Sequence, residues 1–446
     1  MWPLFRRFFA LGFHDSGCAA GRVESRFEMG DREKKLPSAK WRRLGRLFVA
    51  GVLCLEAVFF AGLWERIERG YPDFSVFYTA ATILRVGLGH QLYCAQVQNR
   101  IQKGFTGELP SRPSALPYIH PPFEALFFLP FSRLSFRQAF LAWDSLNLAM
   151  LFLIGLLLRG NVGIVRWLPA GEFVPWVLAF FPVFECLLQG QDSILQLLFC
   201  VLAWKALKKD ADVLAGCWFA LGAFKFQIML PLVVLVCFWR RRRALVGFTA
   251  VGLGLAAISI GLVGWRGLLE YPVFAMRVAN TPGMGGVPVD FLPNLHGLIM
   301  GWPLKLTGSV GTVAVLFSSA ILFLFAAARE RSLSLQRRSD LCFAMAIAVS
   351  ELIGWQTNIH DFSLLVLPVI LVADFCLNRS SPKLSDRWKL LYPVLPLLIS
   401  PLWFALWLSI GQVNLIAISL LWWVWKISQE LAGSGVRGGV QSAIAI

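Results

Sequence analysis

The chain has 446 residues, 57% of them hydrophobic and 15% charged, with a mean hydropathy of +0.64. Soluble domains carry roughly 25% charged residues, so a water-soluble globular enzyme is excluded and the bilayer organises the fold. The net charge of +16 does not argue for a nucleic-acid partner, because many basic residues stand in short loops between apolar runs, where they set orientation.

No alternating ten-residue barrel pattern is present, and the expectation is an all-α polytopic membrane protein. The nine cysteines are scattered without a CxxC, most of them inside apolar runs. Only Cys94 falls in a long outer loop, so no disulfide framework is implied.

Residues 1–43 read as a cytoplasmic N-terminal tail. It opens on Phe5-Arg6-Arg7-Phe8-Phe9 and turns polar, without the apolar run of a signal peptide. Met29 is an alternative start, since Lys34, Lys35, Lys40, Arg42 and Arg43 then lead directly into the first span, residues 44–64. A first extracytoplasmic loop follows, residues 65–136, with juxtamembrane helices. Residues 74–86 read as an amphipathic helix with Asp73 before it and Gly87 ending it. Residues 121–134 are apolar but short and proline-flanked, nearer an interfacial or re-entrant piece than a crossing.

If that piece does not cross, the later basic loops fall on the cytoplasmic side. Residues 138–158 descend to Arg159 and Arg166, and the fourth span descends to Lys205, Lys208 and Lys209. Residues 211–224 rise to an outer turn at Lys225, and 226–239 descend to Arg240, Arg241, Arg242 and Arg243. The segment 244–264 rises into a second extracytoplasmic loop, residues 265–308. Basic clusters within 329–338 and 379–389 are again inside. The threading predicts about twelve spans in a transmembrane region 44–428, followed by a cytoplasmic C-terminal tail, 429–446.

The outer face then collects Asp73, Tyr78, His120, Gln189, Gln191, Asp192, Lys225, Arg277, Asn294, His296, His360 and Asp361. Ionisable groups at membrane depth are costly and are functional candidates by default. Each has a plainer reading. Asp73 could cap its helix or accept a proton from an attacking hydroxyl. Lys225 could snorkel to the interface or hold a phosphate. Gln191 and Asp192 could cap the fourth span or meet substrate. His360 could bond polar backbone or donate to a phosphate, and Arg277 could be an ordinary loop charge.

Two motifs are declined. Asp210-Ala211-Asp212 has the spacing of a nucleotide-sugar metal motif but lies beside Lys208 and Lys209 with no soluble domain around it. Gly283-Met284-Gly285-Gly286 lacks the strand, Lys and helix of a phosphate loop.

Together these residues resemble the polytopic lipid-linked-sugar transferases of the GT-C superfamily, and glycosyltransferase family 87 in particular, over roughly residues 44–426. The likeness rests on Asp73-Phe74 with Tyr78-Thr79-Ala80-Ala81 and Leu92-Tyr93, on His120-Pro121-Pro122-Phe123 with Leu129-Pro130, and on Gly190-Gln191. It also rests on Gly222-Ala223-Phe224-Lys225, Pro293-Asn294-Leu295-His296-Gly297, and Asn358 through Asp361. The resemblance implies a GT-C-like helical bundle and an inverting hexosyltransferase, for mannose in the polyprenol-phosphate-mannose-dependent members. The donor would be a polyprenyl-phosphate sugar and the acceptor a lipid or glycan, on the extracytoplasmic face of the cell membrane.

In that reading Asp73 is the general base. Lys225, His360 and Arg277 attend the donor phosphate, and Tyr78, His120, Gln191, Asn294 and His296 line the substrate site. The chain departs from the family pattern at Phe226, where proline is usual, at Asp192, where Asn is common, and in having one His in the last cluster instead of two. No cofactor is required. Asp73 and Asp192 do not make a ligand spacing, and a divalent metal is left open.

Two other functions stay open. One is a transporter or flippase of lipid-linked glycans, with Glu56, Asp144, Glu185 and Glu351 on its path. These, one to a span, equally suit interhelical hydrogen bonding. The other is a ligase or polymerase using a diphosphate-linked donor.

Overall fold

The computed structural model describes residues 39–107, 115–169, 171–280, 287–329, 336–378, 388–398 and 409–443. The chain divides into units Met1–Leu47 and Phe48–Ile446, and the architecture below is that of the second. The glycine run at 283–286 and nearly all of the N-terminal tail lie outside the described residues.

The described residues are helical throughout, with no strand among them. A segment in lipid can satisfy its N–H and C=O groups only within itself or in a closed barrel. Five helices are long and apolar enough to cross a membrane: Arg42–Glu68, Phe136–Arg159, Arg243–Val278, Gly308–Ala328 and Asp361–Asn378. Their outward faces carry exposed Leu253, Val310 and Phe317, as a lipid solvent permits. By this measure the expected number of about twelve spans is not reached among the described residues. Several expected crossings are shorter helices.

We label the elements that position the site α1 (Ala39–Glu68), α2 (Phe74–Arg85), α3 (Ala95–Thr106), α4 (Phe136–Arg159), α5 (Phe181–Gln189) and α6 (Ser193–Lys208). There follow α7 (Asp212–Leu221), α8 (Phe226–Phe238), α9 (Arg243–Asn280), α10 (Leu295–Met300) and α11 (Gln336–Ile353).

Helix α2 starts and stops where local signals place it, with Gly87 just beyond at φ +77°. Residues 121–134 form three short helical turns, Pro122–Glu124, Ala125–Phe128 and Leu129–Arg133, too short to cross. The α4 terminus carries a capping box, Ser135 accepting from the Gln138 amide while Gln138 reaches back.

Helices α7 and α8 form a pair bent by 72° around Lys225. Arg241, past the end of α8, contacts Asp210 at 2.5 Å and Asp212 at 3.0 Å, at the start of α7. A single straight traverse would separate those residues by about 30 Å, whereas here the two ends of the pair are in contact. The same contacts bind both acids of the Asp210-Ala211-Asp212 motif into ion pairs. Helix α7 then packs against α9 at backbone distance. A Cβ on Gly216 would stand 1.8 Å from the Ala244 carbonyl oxygen, and one on Gly247 1.9 Å from that of Val213, the close approach small residues allow between membrane helices.

Helix α11 is buried on all sides over Leu341 to Val349, as expected of a central helix apolar all round. It packs against α8 and the helix Val366–Asn378. The end of α5, the start of α6, the α7–α8 turn and the start of the span at Asp361 lie near one another, and the polar residues gather there.

Candidate active site

Gly190 is the joint on which the site turns. It ends α5 in the left-handed region at φ +60°, and a Cβ there would lie 2.7 Å from the Phe74 Cβ and 2.9 Å from the Phe140 ring. Only glycine takes this backbone without cost in so tight a place. The turn sends Gln191 and Asp192, adjacent in sequence, to two different clusters.

Gln191 Nε2 donates to Asp73 Oδ2 at 2.8 Å. The Gln191 carbonyl is held from behind by Trp143 Nε1 at 3.2 Å. Asp73 stands at the N-cap position of α2, yet its carboxylate makes no capping bond. Its amide instead donates to Gln189 Oε1 at 3.3 Å. The side chain is half-buried.

Asp192 faces the other way. Lys225 Nζ lies 2.8 Å from Asp192 Oδ1, 2.5 Å from Asp361 Oδ1 and 2.6 Å from Ser193 Oγ. Ser193 Oγ donates to Asp361 Oδ1 at 3.2 Å, and the Asn358 amide to Asp361 Oδ2 at 2.7 Å. Lys225 is 3% exposed. A cation so deep requires paired anions, and here it has two. Burial raises the Asp192 carboxyl, but the Lys225 ammonium outweighs it and holds the pKa below the usual carboxylate range. His360 Nε2 sits 3.6 Å from Asp361 Oδ1, and burial lowers its pKa against the pull of Asp361.

A third group meets the second at Asp192. Extended residues around Tyr118 are pinned to α3, Gln98 Oε1 accepting from the Tyr118 amide at 2.8 Å and Gln102 Oε1 from the Leu116 amide at 2.8 Å. Tyr93 donates to the His120 carbonyl at 2.7 Å. Pro121 and Pro122 then start a helical turn that brings Glu124 back to His120, Nδ1 to Oε1 3.0 Å. Burial lowers the His120 pKa to about 4. Burial and then the Asp192 charge push the Glu124 carboxyl well above the carboxylate range. Ligand atoms of His120, Glu124 and Asp192 all lie within 4.8 Å of one another.

The structure therefore brings Asp73, Gln191, Asp192, Lys225, His360 and His120 into one chain of contacts. Other expected site residues are engaged elsewhere. Tyr78 donates to the Leu134 carbonyl at 2.7 Å and packs among Phe74, Phe105 and Phe136. Asn294 caps α10 through Gly297 at 2.9 Å and donates to the Gly354 carbonyl at 2.6 Å. His296 Nδ1 bonds the Trp355 carbonyl at 2.7 Å, and its ring lies 4.2 Å from that of Trp355. The Trp355 end of this second cluster leads along the chain to His360. Arg277 is exposed near the end of α9 and makes no ion pair with these groups. Glu124 is the residue that sequence reasoning missed. Its signal was the His120-x-x-x-Glu124 spacing, obscured by the apolar run around it.

A family model described as Glycosyltransferase family 87 matches residues 118–353. That segment contains His120, Glu124, Gln191, Asp192, Lys225, Asn294 and His296, and leaves Asp73 and His360 outside it. No curated protein and no solved structure matches the chain.

Proposed function

The chain belongs to glycosyltransferase family 87, and on that premise we propose that it is an inverting transferase using a polyprenyl-phosphate sugar. Asp73 acts as general base toward an acceptor hydroxyl of a lipid or glycan. In this reading the crevice opens to the extracytoplasmic side of the cell membrane, within a bundle of about twelve crossings, some broken or short. The sugar is a hexose, with mannose the first candidate.

The observation that carries the reading is the Asp73 carboxylate, uncapped, half-buried and oriented by Gln191. The next residue after Gln191 ties that base to the Lys225 cluster. A single displacement needs this layout. The base draws the proton as the hydroxyl bonds to the anomeric carbon, and the phosphate leaves on the opposite face toward Lys225 and His360. Polar groups fixed where charge develops lower the barrier without reorganising. His120 and Gln191 are placed to meet the sugar, and Arg277 is left to the outer lip, where a lipid phosphate enters.

The test uses purified protein in lipid nanodiscs with radiolabelled polyprenyl-phosphate mannose or glucose and membrane-lipid acceptors. Transfer by the wild type and a roughly 10²–10⁴-fold loss in folded Asp73→Asn are expected. Undiminished transfer by Asp73→Asn removes the proposed base. Movement of lipid-linked glycan across the bilayer without transfer favours the flippase, in which buried Glu56, Glu185 and Glu351 lie on the path.

A further inference from the structure

Three carboxylates, Glu124, Asp192 and Asp361, are buried around a single ammonium, that of Lys225. Glu124 is fully buried, its polar neighbours are Tyr118, Asp192 and His120 Nδ1, and none of them gives either oxygen a well-formed hydrogen bond. Asp192 meets Lys225 at 2.8 Å and the Glu124 carboxyl, and no uncharged donor reaches it at good geometry. Buried acceptors without donors are rare, and each calls for an explanation. Ionised, the group carries two negative charges more than Lys225 neutralises.

The orphaned oxygens converge on an imidazole nitrogen. His120 Nδ1 stands 3.0 Å from Glu124 Oε1, the separation of two ligands about 2.1 Å from one ion at a right angle. Asp192 completes a set within 4.8 Å, from which a modest contraction reaches bonding distances. One imidazole with two carboxylates suits a first-row divalent ion that accepts both nitrogen and oxygen. Pro121 and Pro122 stiffen the turn between the ligands, and Gln98 and Tyr93 anchor the chain at Tyr118 and at His120.

We propose that His120, Glu124 and Asp192 bind a divalent transition-metal cation of the Mn²⁺ or Zn²⁺ class beside Lys225. Three protein ligands leave coordination positions for solvent or substrate oxygen. If the chain uses a lipid-phosphate donor, a role that rests on the transferase reading, those positions take a phosphate oxygen. Lys225, already shared by two carboxylates, is poorly placed to attract an anion alone.

The probe is Mn²⁺ added to chelator-treated full-length protein in nanodiscs, followed by electron paramagnetic resonance. Wild type is expected to hold one Mn²⁺ per chain with ¹⁴N coupling from an imidazole. Glu124→Gln, nearly isosteric, and His120→Ala should weaken binding at least as much as the roughly 10–100-fold that losing a mere outer partner costs. Mn²⁺ should raise the melting temperature of wild type and not of Glu124→Gln. No bound Mn²⁺ in wild type, bound Mn²⁺ without nitrogen coupling, or equal binding by Glu124→Gln overturns the site. Glu124 is then a neutral acid sharing a proton with Asp192. The wild-type nitrogen coupling decides the matter even where a variant does not fold. Adding polyprenyl monophosphate should bring ³¹P coupling. Its absence rejects the phosphate role and leaves the cation site standing, and failed sugar transfer with Mn²⁺ bound bears only on the transferase reading.

Discussion

Gln191 donates to Asp73 across 118 residues of chain, Nε2 to Oδ2 at 2.8 Å. The Asp73 carboxylate could have turned to its own helix terminus and does not. Gln191 therefore orients it. Gln191→Leu keeps the volume and removes the donor. A hydrogen bond to a charged group contributes about 1.5–3 kcal/mol, so kcat should fall about 10–100-fold with KM little changed. Unchanged kcat in a folded Gln191→Leu means that Asp73 needs no such orientation.

Lys225 contacts Asp192, Asp361 and Ser193 at 2.5–2.8 Å with 3% of its surface exposed. Lys225→Met leaves two buried carboxylates facing each other, and breaking such a group costs about 3–5 kcal/mol. The double variant Lys225→Met with Asp361→Asn should recover part of that loss, since one orphan charge goes with the cation. The check is thermal unfolding of the single and double variants in one lipid system. If their losses simply add, the ion pair is not what holds the turn between α7 and α8.

Gly190→Ala tests the joint itself. A non-glycine residue in the left-handed region costs about 1–2 kcal/mol, and here the new methyl would also press on Phe74 at 2.7 Å. Phe74 follows Asp73, so the push reaches the base directly. Activity should fall by more than stability does, read as kcat/KM beside melting temperature. A variant with lost stability and intact kcat/KM separates the turn from the Asp73 geometry.

The parts legible in sequence were those with local causes. Asp73 and Gly87 bracket α2, and the prolines break residues 121–134 into short helical turns. Hydropathy alone could not tell the bent pair at Lys225 from one broken span. The contact that decides it, Arg241 with Asp210, joins residues 31 apart. That Lys225 is an internal ion pair was equally hidden, because Asp361 comes from 136 residues away. Glu124 shows a different failure. Its partner His120 is four residues off, but amid Phe123, Phe127 and Phe128 a carboxylate read as part of an apolar stretch. Tyr78 lay on a helix facing the expected site, yet α2 is buried nearly all round, and its hydroxyl found a backbone carbonyl.

His296 offers a pH test remote from the proposed base. It lies on α10 with Nδ1 bonded to the Trp355 carbonyl and its ring against the Trp355 indole. Burial lowers its pKa, and the carbonyl, which raises it, does not compensate. The folded state thus binds a proton less readily than the unfolded chain, whose histidine titrates near 6.5. The stability contribution is fully present above that value and is lost as pH falls through the lower folded pKa. His296→Asn has no such titration. From pH 7.5 down to 5, wild type should therefore lose melting temperature faster than His296→Asn, and the two curves should converge. Parallel curves would mean that the ring takes up its proton equally readily in both states, and that its stacking on Trp355 carries no penalty for charge.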